Sequence, residues 1–396
     1  MKFKVVIYCL VFLVSCNKEN STMIDCINNP QLETFSASDI EDYTAVISGT
    51  IHTNTCDETP VLAQGLVYGE SIFPKVEEDI VVEIQGENIN AVLEDLKFGT
   101  TYYYRTFVAN QEGTYYGNEL SFTTTIPQWI EVPDDGFEQA LIDQGYDDLL
   151  DNKVLTENII GITELDISNR TIFNLRGIQG FRALEKLNCD NTFITSLKLS
   201  NNLNLKEISS FGGYRIDDLD ISKNTKLRKL LLGGVDLFNL DLTNNPDLIE
   251  VEVSWEVGNI DVTNCPLLTT LNIASNILRE LDVSQNLELQ TLRCWSCRVP
   301  EYDLTNNLKL KKLDVAFNYF TYLDVSQNLN LEEVITYNNF DVTEINIANG
   351  NNEKINRFWA NYSPYLTCVG VDDVDFAESQ PNWFKDETAK YSINCE

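Results

Sequence analysis

At 396 residues the chain is long enough for two or three domains, and 28 basic against 61 acidic side chains give it a formal charge of −33. That balance excludes nucleic acid and anionic lipid surfaces as partners, since both are held by clustered Lys and Arg. It implies a strongly acidic, soluble surface with neutral or basic partners.

The chain begins with Lys2 and Lys4, an apolar run from Val5 to Val14, and then Ser15-Cys16. A charged start, a short apolar core and a small residue at the end are the order of a secretion signal. The run is too short to span a bilayer, and no other stretch reaches 18 apolar residues. Leu13-Val14-Ser15-Cys16 resembles the lipobox of bacterial lipoproteins. The resemblance implies a lipoprotein signal over 1–16, with Cys16 as the lipidated residue and a lipid anchor on the bacterial outer membrane. Asn17-Lys18-Glu19-Asn20 resembles the short tag that directs some of these proteins to the cell surface. An ordinary signal peptide cut nearby is the alternative. Residues 17–31 are polar and read as a tether.

Over 32–125 short apolar runs alternate with turn residues, which predicts strands at 44–51, 62–68, 80–84, 89–93, 101–109 and 120–123. The stretch Leu96-Lys97-Phe98-Gly99-Thr100-Thr101-Tyr102-Tyr103-Tyr104 resembles the tyrosine corner of a fibronectin type III sandwich, with Phe98 where that family carries Pro. The resemblance implies that the Tyr102 ring is packed and its hydroxyl bonded to backbone. Such domains usually act as spacers. The lone His52 falls in this region with no nucleophile motif beside it. From 126 to 161, Pro133-Asp134-Asp135 followed by apolar residues at spacings of three and four predicts a short capping helix ending near Gly145. Asp147, Asp148 and Asp151 lack the spacing and the glycine of a calcium loop.

A repeat then takes over. Its units start at Ile162, Leu184, Leu205, Leu227, Leu248, Leu268, Leu289, Leu310 and Leu331, nine coils of 20 to 22 residues over 162–350. Leu268, Leu271, Ile273, Asn276, Leu278 and Leu281 form L-x-x-L-x-L-x-x-N-x-L-x-x-L, so the region resembles the leucine-rich repeats of internalin-like bacterial surface proteins. L-x-L alternation points two side chains inward from a short strand, and stacked coils bury what one coil cannot. A second station, such as Leu281-Asp282-Val283-Ser284, closes each coil with too few residues for a long helix. The expected fold is therefore mostly β: a fibronectin type III-like sandwich, a helical cap, a solenoid, and a C-terminal cap over 351–396. In that cap the resemblance pairs Cys368 with Cys395, and Cys26 with Cys56 is the other candidate disulfide of an exported chain.

Few residues suggest chemistry. Cys294-Trp295-Ser296-Cys297 has the spacing of a redox pair, but Cys294 shares the inward slot of Ile273 and Val315, and Cys297 the slot of Asn318. Both thiols should therefore be buried. Asp220, Asp241, Asp261, Asp282, Asp303 and Asp324 form a column that suits solvated or backbone-bonded side chains, with a cation ladder as the alternative. Asn202, Asn224, Asn245, Asn286, Asn307 and Asn328, interrupted by Cys265, share a turn slot in which amides bond to backbone. No phosphate loop or metal-ligand set appears, so neither cofactor, metal nor enzymatic activity is expected.

The candidate binding residues lie just after the inward pair of each strand: Phe211, Trp255, Trp295, Phe317 and Tyr337, with Arg293 beside them and Tyr214 and Tyr319 close by. The inward slots are already filled, so these rings should face outward, where they suit a protein or a glycan. The competing expectation packs them over Gly212, Gly233, Gly234 and Ala274. The sequence thus points to a monomeric, surface-anchored recognition or adhesion protein, with a structural lipoprotein of an envelope complex as the alternative.

Overall fold

The computed structural model describes residues 30–53, 60–275 and 277–395, and the chain divides into two compact units at Ile126/Pro127. Cys16, Cys26 and Cys56 lie outside the described residues. Among those described, no helix is long and apolar enough to cross a membrane.

The first unit is built of two antiparallel sheets. One orders Gln31–Ser38, Ala45–His52 and Asn88–Leu93; the other orders Ile80–Glu83, Ala63–Gly69, Thr101–Asn110 and Gly113–Tyr116, with Leu120–Thr123 paired to the start of the long strand. Alternation along Ala45–His52 sends Ala45, Ile47 and Ile51 into a core shared with Leu66, Ile89, Tyr104 and Phe122. Tyr102 is buried, and its hydroxyl accepts the Lys97 backbone N–H at 2.9 Å, which fixes the chain as it enters the long strand.

In the second unit a strand pair, Trp129–Glu131 with Lys153–Leu155, frames helix α1, Asp135–Asp143. Asp134 caps α1 by accepting the Phe137 N–H at 3.0 Å. Its other oxygen accepts the N–H groups of Phe173 and Asn174, which ties the helix to the first coil. Phe137 stacks on Phe181 of that coil at 6.2 Å and is fully buried, so the apolar end of the solenoid is covered.

Eleven parallel strands, from Glu164–Asp166 to Trp383–Lys385, then follow in sequence order as one sheet. Register is strict: Leu187 lies beside Ile208, Leu230 beside Val251, Leu292 beside Leu313, and Val334 beside Phe358. Each of these side chains is buried, and a buried aliphatic chain contributes about 1.5–3 kcal/mol. The sheet does not stop at Gly350: Arg357–Ala360 and Trp383–Lys385 extend it, with Phe358 and Trp383 replacing leucine. Gly350 marks the end of the regular spacing, not of the stack. The far side carries two- and three-residue parallel strands, such as Leu240–Asp241 with Ile260–Asp261 and Tyr322–Asp324 with Glu344–Asn346. After Gly370 the short helix α2, Val374–Ser379, packs Phe376 against Trp383, and a disulfide joins Cys368 to Cys395 with 5.8 Å between Cα atoms.

The turn asparagines run through the interior as a column. Asn307 Nδ2 donates to the carbonyls of Val283 and Asn286, both 3.0 Å away in the preceding coil, and Asn224, Asn245, Asn286 and Asn328 repeat the arrangement. Cys265 occupies one rung, its sulfur 3.6 Å from the Leu242 carbonyl. The amides therefore staple each coil to the one before it.

Candidate strand-face site

The slot that carries three of the site's exposed aromatics has an unusual backbone. Two residues past the inward pair, each coil turns through the left-handed region: Asn169, Asn191, Gly212, Gly234, Ser275, Ser296 and Asn338 hold φ between 54° and 80°. Asn and Gly tolerate that conformation, while a residue with a bulky side chain is strained there. Trp255 (φ 78°), Phe317 (φ 56°) and Tyr362 (φ 58°) occupy the same slot. Each opposes the repeat by about 1–2 kcal/mol, and each is exposed, Trp255 at 56% and Tyr362 at 67%. Trp255 and Tyr362 are more than half exposed, so burial offsets only part of that strain, while Phe317, 39% exposed, is the most covered of the three.

The rings form a ladder. Trp295 meets Phe317 at 6.2 Å, Phe317 meets Tyr337 at 5.1 Å, Tyr337 meets Trp359 at 6.4 Å, and Trp359 meets Phe384 at 6.3 Å. One rung comes from each of five successive coils, and adjacent ring planes are inclined by 59° to 73°. Trp295 is 42% exposed and Phe384 47%, with Tyr337 and Trp359 half-buried between them. Trp359 Nε1 is sealed from solvent without an acceptor among the described residues.

Of the residues singled out in the sequence, Trp295, Phe317 and Tyr337 come together. Trp255 is exposed but touches no other ring among the described residues. Phe211 follows the competing expectation: its ring lies over Gly233, where an added Cβ would come within 2.3 Å of Cδ1. It is half-buried and stands outside the ladder. Trp359 and Phe384 were missed because they fall beyond Gly350; the alternation Arg357-Phe358-Trp359-Ala360 is the signal that reveals them. A second group, Phe173, Phe193 and Tyr214, makes tilted ring contacts at 5.5 and 5.0 Å across the first three coils.

Charge on this face is set by the strand register. Arg293 lies beside Asp314, and Lys312 beside Glu333, which lies beside Arg357. Arg357 bonds Glu333 at 3.2 Å and covers the Trp359 ring at 4.9 Å. Burial pushes the Asp314 carboxyl above the usual range; the Ala316 N–H and Arg293 oppose that shift and Glu333 adds to it.

The other candidates are internal or local. Cys294 and Cys297 are fully buried, and the Cys297 thiol donates to the Ile273 carbonyl at 3.0 Å, which makes it a rung in an asparagine slot. Burial holds the Cys294 thiol well above its ordinary range, so a redox role has neither access nor thiolate. In the aspartate column, Asp303 accepts the Thr305 hydroxyl at 2.6 Å and backbone N–H at 3.1 Å, and Asp241 accepts the same pair from Thr243. Those bonds lower both carboxyls. Among the described residues, no group of three or more His, Cys, Asp or Glu side chains is arranged to hold a metal ion.

No protein-family model matches the chain, and no curated protein does. Among solved structures, the chain is similar to the functional domain of InlJ from Listeria monocytogenes, which includes a cysteine ladder: 22% identity over 67% of this chain and 72% of that one, TM-score 0.42. Internalin C2 of the same organism matches at 18% identity over 52% of this chain and 96% of that one, TM-score 0.43. A fibronectin type III domain of human KIAA0970 matches at 18% identity over 25% of this chain and 75% of that one, TM-score 0.20. The solenoid itself rests on the strand register, not on these likenesses.

Proposed function

We propose that this is a non-catalytic recognition protein, of adhesion type, that binds a protein partner along the ring-bearing strand face. We further propose that a lipid on Cys16 holds it on the bacterial outer membrane, with the N-terminal unit as a fibronectin type III-like spacer. One observation carries the binding role: five rings from five coils form a continuous, largely solvent-facing ladder, next to aromatics held in a backbone conformation that opposes them. Strain that folding does not require points to function. Ring inclination supports a protein over a glycan. A sugar chain stacks on ring faces presented in one plane, whereas planes inclined by 59° to 73° offer edges and slots that suit apolar side chains. The anchor rests on Leu13-Val14-Ser15-Cys16 alone.

A protein and glycan array probed with the purified protein tests this reading. Protein spots should be captured and glycans should not, and Trp295→Ala with Phe317→Ala and Trp359→Ala should remove capture while the far-ultraviolet spectrum is unchanged. Capture that survives the triple variant would sink the strand-face reading. Separately, Cys16→Ser should move the protein from the membrane to the soluble fraction; continued membrane association would defeat the anchor.

A further inference from the structure

The charge of the whole chain and that of the ring-bearing face disagree. At the outward positions of the first five solenoid strands, five carboxylates face two lysines, in keeping with the chain's −33. Across the four strands from Thr291 to Ala360 the balance reverses: Arg293, Lys312 and Arg357 against Asp314 and Glu333. Pairing sharpens the difference. Arg357 already holds Glu333, and Asp314 is half-buried. Arg293 and Lys312 are exposed, and neither makes an ion pair within 4 Å or a side-chain hydrogen bond among the described residues. Both stand at the Trp295–Phe317–Tyr337 end of the ladder, Arg293 two residues before Trp295 and Lys312 five before Phe317.

Two unpaired cations beside an apolar surface, on an otherwise acidic body, form a receptor for carboxylates attached to apolar groups. Arg293 and Lys312 sit on neighbouring strands, one pleat repeat apart, so their backbones are separated by about 8 Å. Alternate residues of an extended peptide are about 7 Å apart, which lets two acidic side chains of one segment reach both cations. A guanidinium also donates two parallel hydrogen bonds to one carboxylate. We infer that the ladder takes an extended, acidic and apolar peptide segment of its protein partner, with carboxylates on Arg293 and Lys312 and apolar side chains between the Trp295, Phe317 and Tyr337 rings. This rests on the strand-face reading above, and it reverses the neutral or basic partner that total charge predicts.

Selection of a random twelve-residue peptide library on the purified protein tests the inference, with winners synthesised and titrated by tryptophan fluorescence. Winners should combine Asp or Glu with aromatic or aliphatic residues. Arg293→Glu with Lys312→Glu should weaken them about 30-fold, Arg293→Lys should fall between the native chain and the charge reversal because it keeps the charge and loses the paired bonds, and Trp295→Ala with Phe317→Ala should abolish binding. The chain's −33 should also make association faster as salt rises from low to moderate, because screening removes the long-range repulsion. Winners without acidic residues, or acidic winners indifferent to the charge reversal, overturn the acidic segment. If such winners are still lost on removing the rings, the strand-face reading stands without it; if they survive that too, both fall. An absence of winners, or selective retention of an acidic polysaccharide, overturns the peptide assignment.

Discussion

The solenoid carries two columns that repeat once per coil and obey opposite rules. Inside, the asparagines from Asn202 to Asn328 are fully buried, and each amide bonds carbonyls of the preceding coil. Outside, Trp295, Phe317 and Phe384 are exposed with Tyr337 and Trp359 half-buried between them, and Phe317 stands where the backbone favours Asn or Gly. The inner column follows from what stacking needs: the turn carbonyls of one coil, each already bonded to a backbone N–H of its own turn, take a second bond from the amide of the next coil, which links the two. The outer column does not. Its rings satisfy no internal group, and Phe317, like Trp255 and Tyr362 elsewhere on the same face, opposes the turn. Repetition alone therefore does not separate structure from function; the sign of each side chain's effect on its own coil does.

The largest effect that sharpens this contrast comes from the inner column. Asn307→Ala removes two hydrogen bonds and leaves the Val283 and Asn286 carbonyls with only the backbone N–H groups of Asn286 and Leu289. The loss should be about 2–3 kcal/mol, read as a lower urea midpoint. Asn330, which bonds the Leu308 carbonyl from an exposed position, should tolerate alanine with a change below about 0.5 kcal/mol. A mild Asn307→Ala would mean that water or a shifted turn replaces the amide, and the inner column would lose its structural reading.

A smaller effect of opposite sign comes from the left-handed slot on the outer face. Trp255→Asn places a turn-tolerant residue at φ 78° and removes a ring that is 56% exposed and stacked on no other. Stability should rise by about 1 kcal/mol. If the variant is instead destabilised by more than about 1 kcal/mol, the ring is holding the coil together and the contrast collapses at that position.

How much of this was legible in the sequence follows from what each feature is made of. The stack was legible because Leu at strand spacing is a pattern in residue identity, and so was the burial of Cys294 and Cys297, which follows from register alone. The last two coils were not. Val334 to Phe358 spans 24 residues and Phe358 to Trp383 spans 25, with aromatics where leucine is expected. The left-handed slot was hidden because Asn, Gly, Ser, Trp, Phe and Tyr share it, so only the dihedral shows that it is one position. For the same reason the outward rings were identified as a group, but Phe211 could not be told from Phe317 without seeing that Gly233 lies beneath it.

The smallest effect concerns pH, and here the two sides of the coil should part in sign. Asp241 and Asp303, on the far side, are lowered by the hydroxyl and backbone N–H of the threonine two residues on. They therefore contribute stability that is present above the ordinary carboxyl range and lost as pH falls through their depressed pKa values. Asp314, on the strand face, is raised by burial, so the folded state takes up its proton before the unfolded state does. Between its raised pKa and the unfolded value near 3.8, stability should increase as pH falls. Asp314→Asn keeps an acceptor for the Ala316 N–H, 3.3 Å from the carboxylate in the native chain, and removes the titration. Urea midpoints measured from neutral pH downward should show a small gain for the native chain that is absent in the variant, followed by an acid loss common to both. A variant that keeps the gain would place its source elsewhere, and Asp314 would then be an ordinary solvated carboxylate beside Arg293, leaving that cation to its neighbour and not to a ligand.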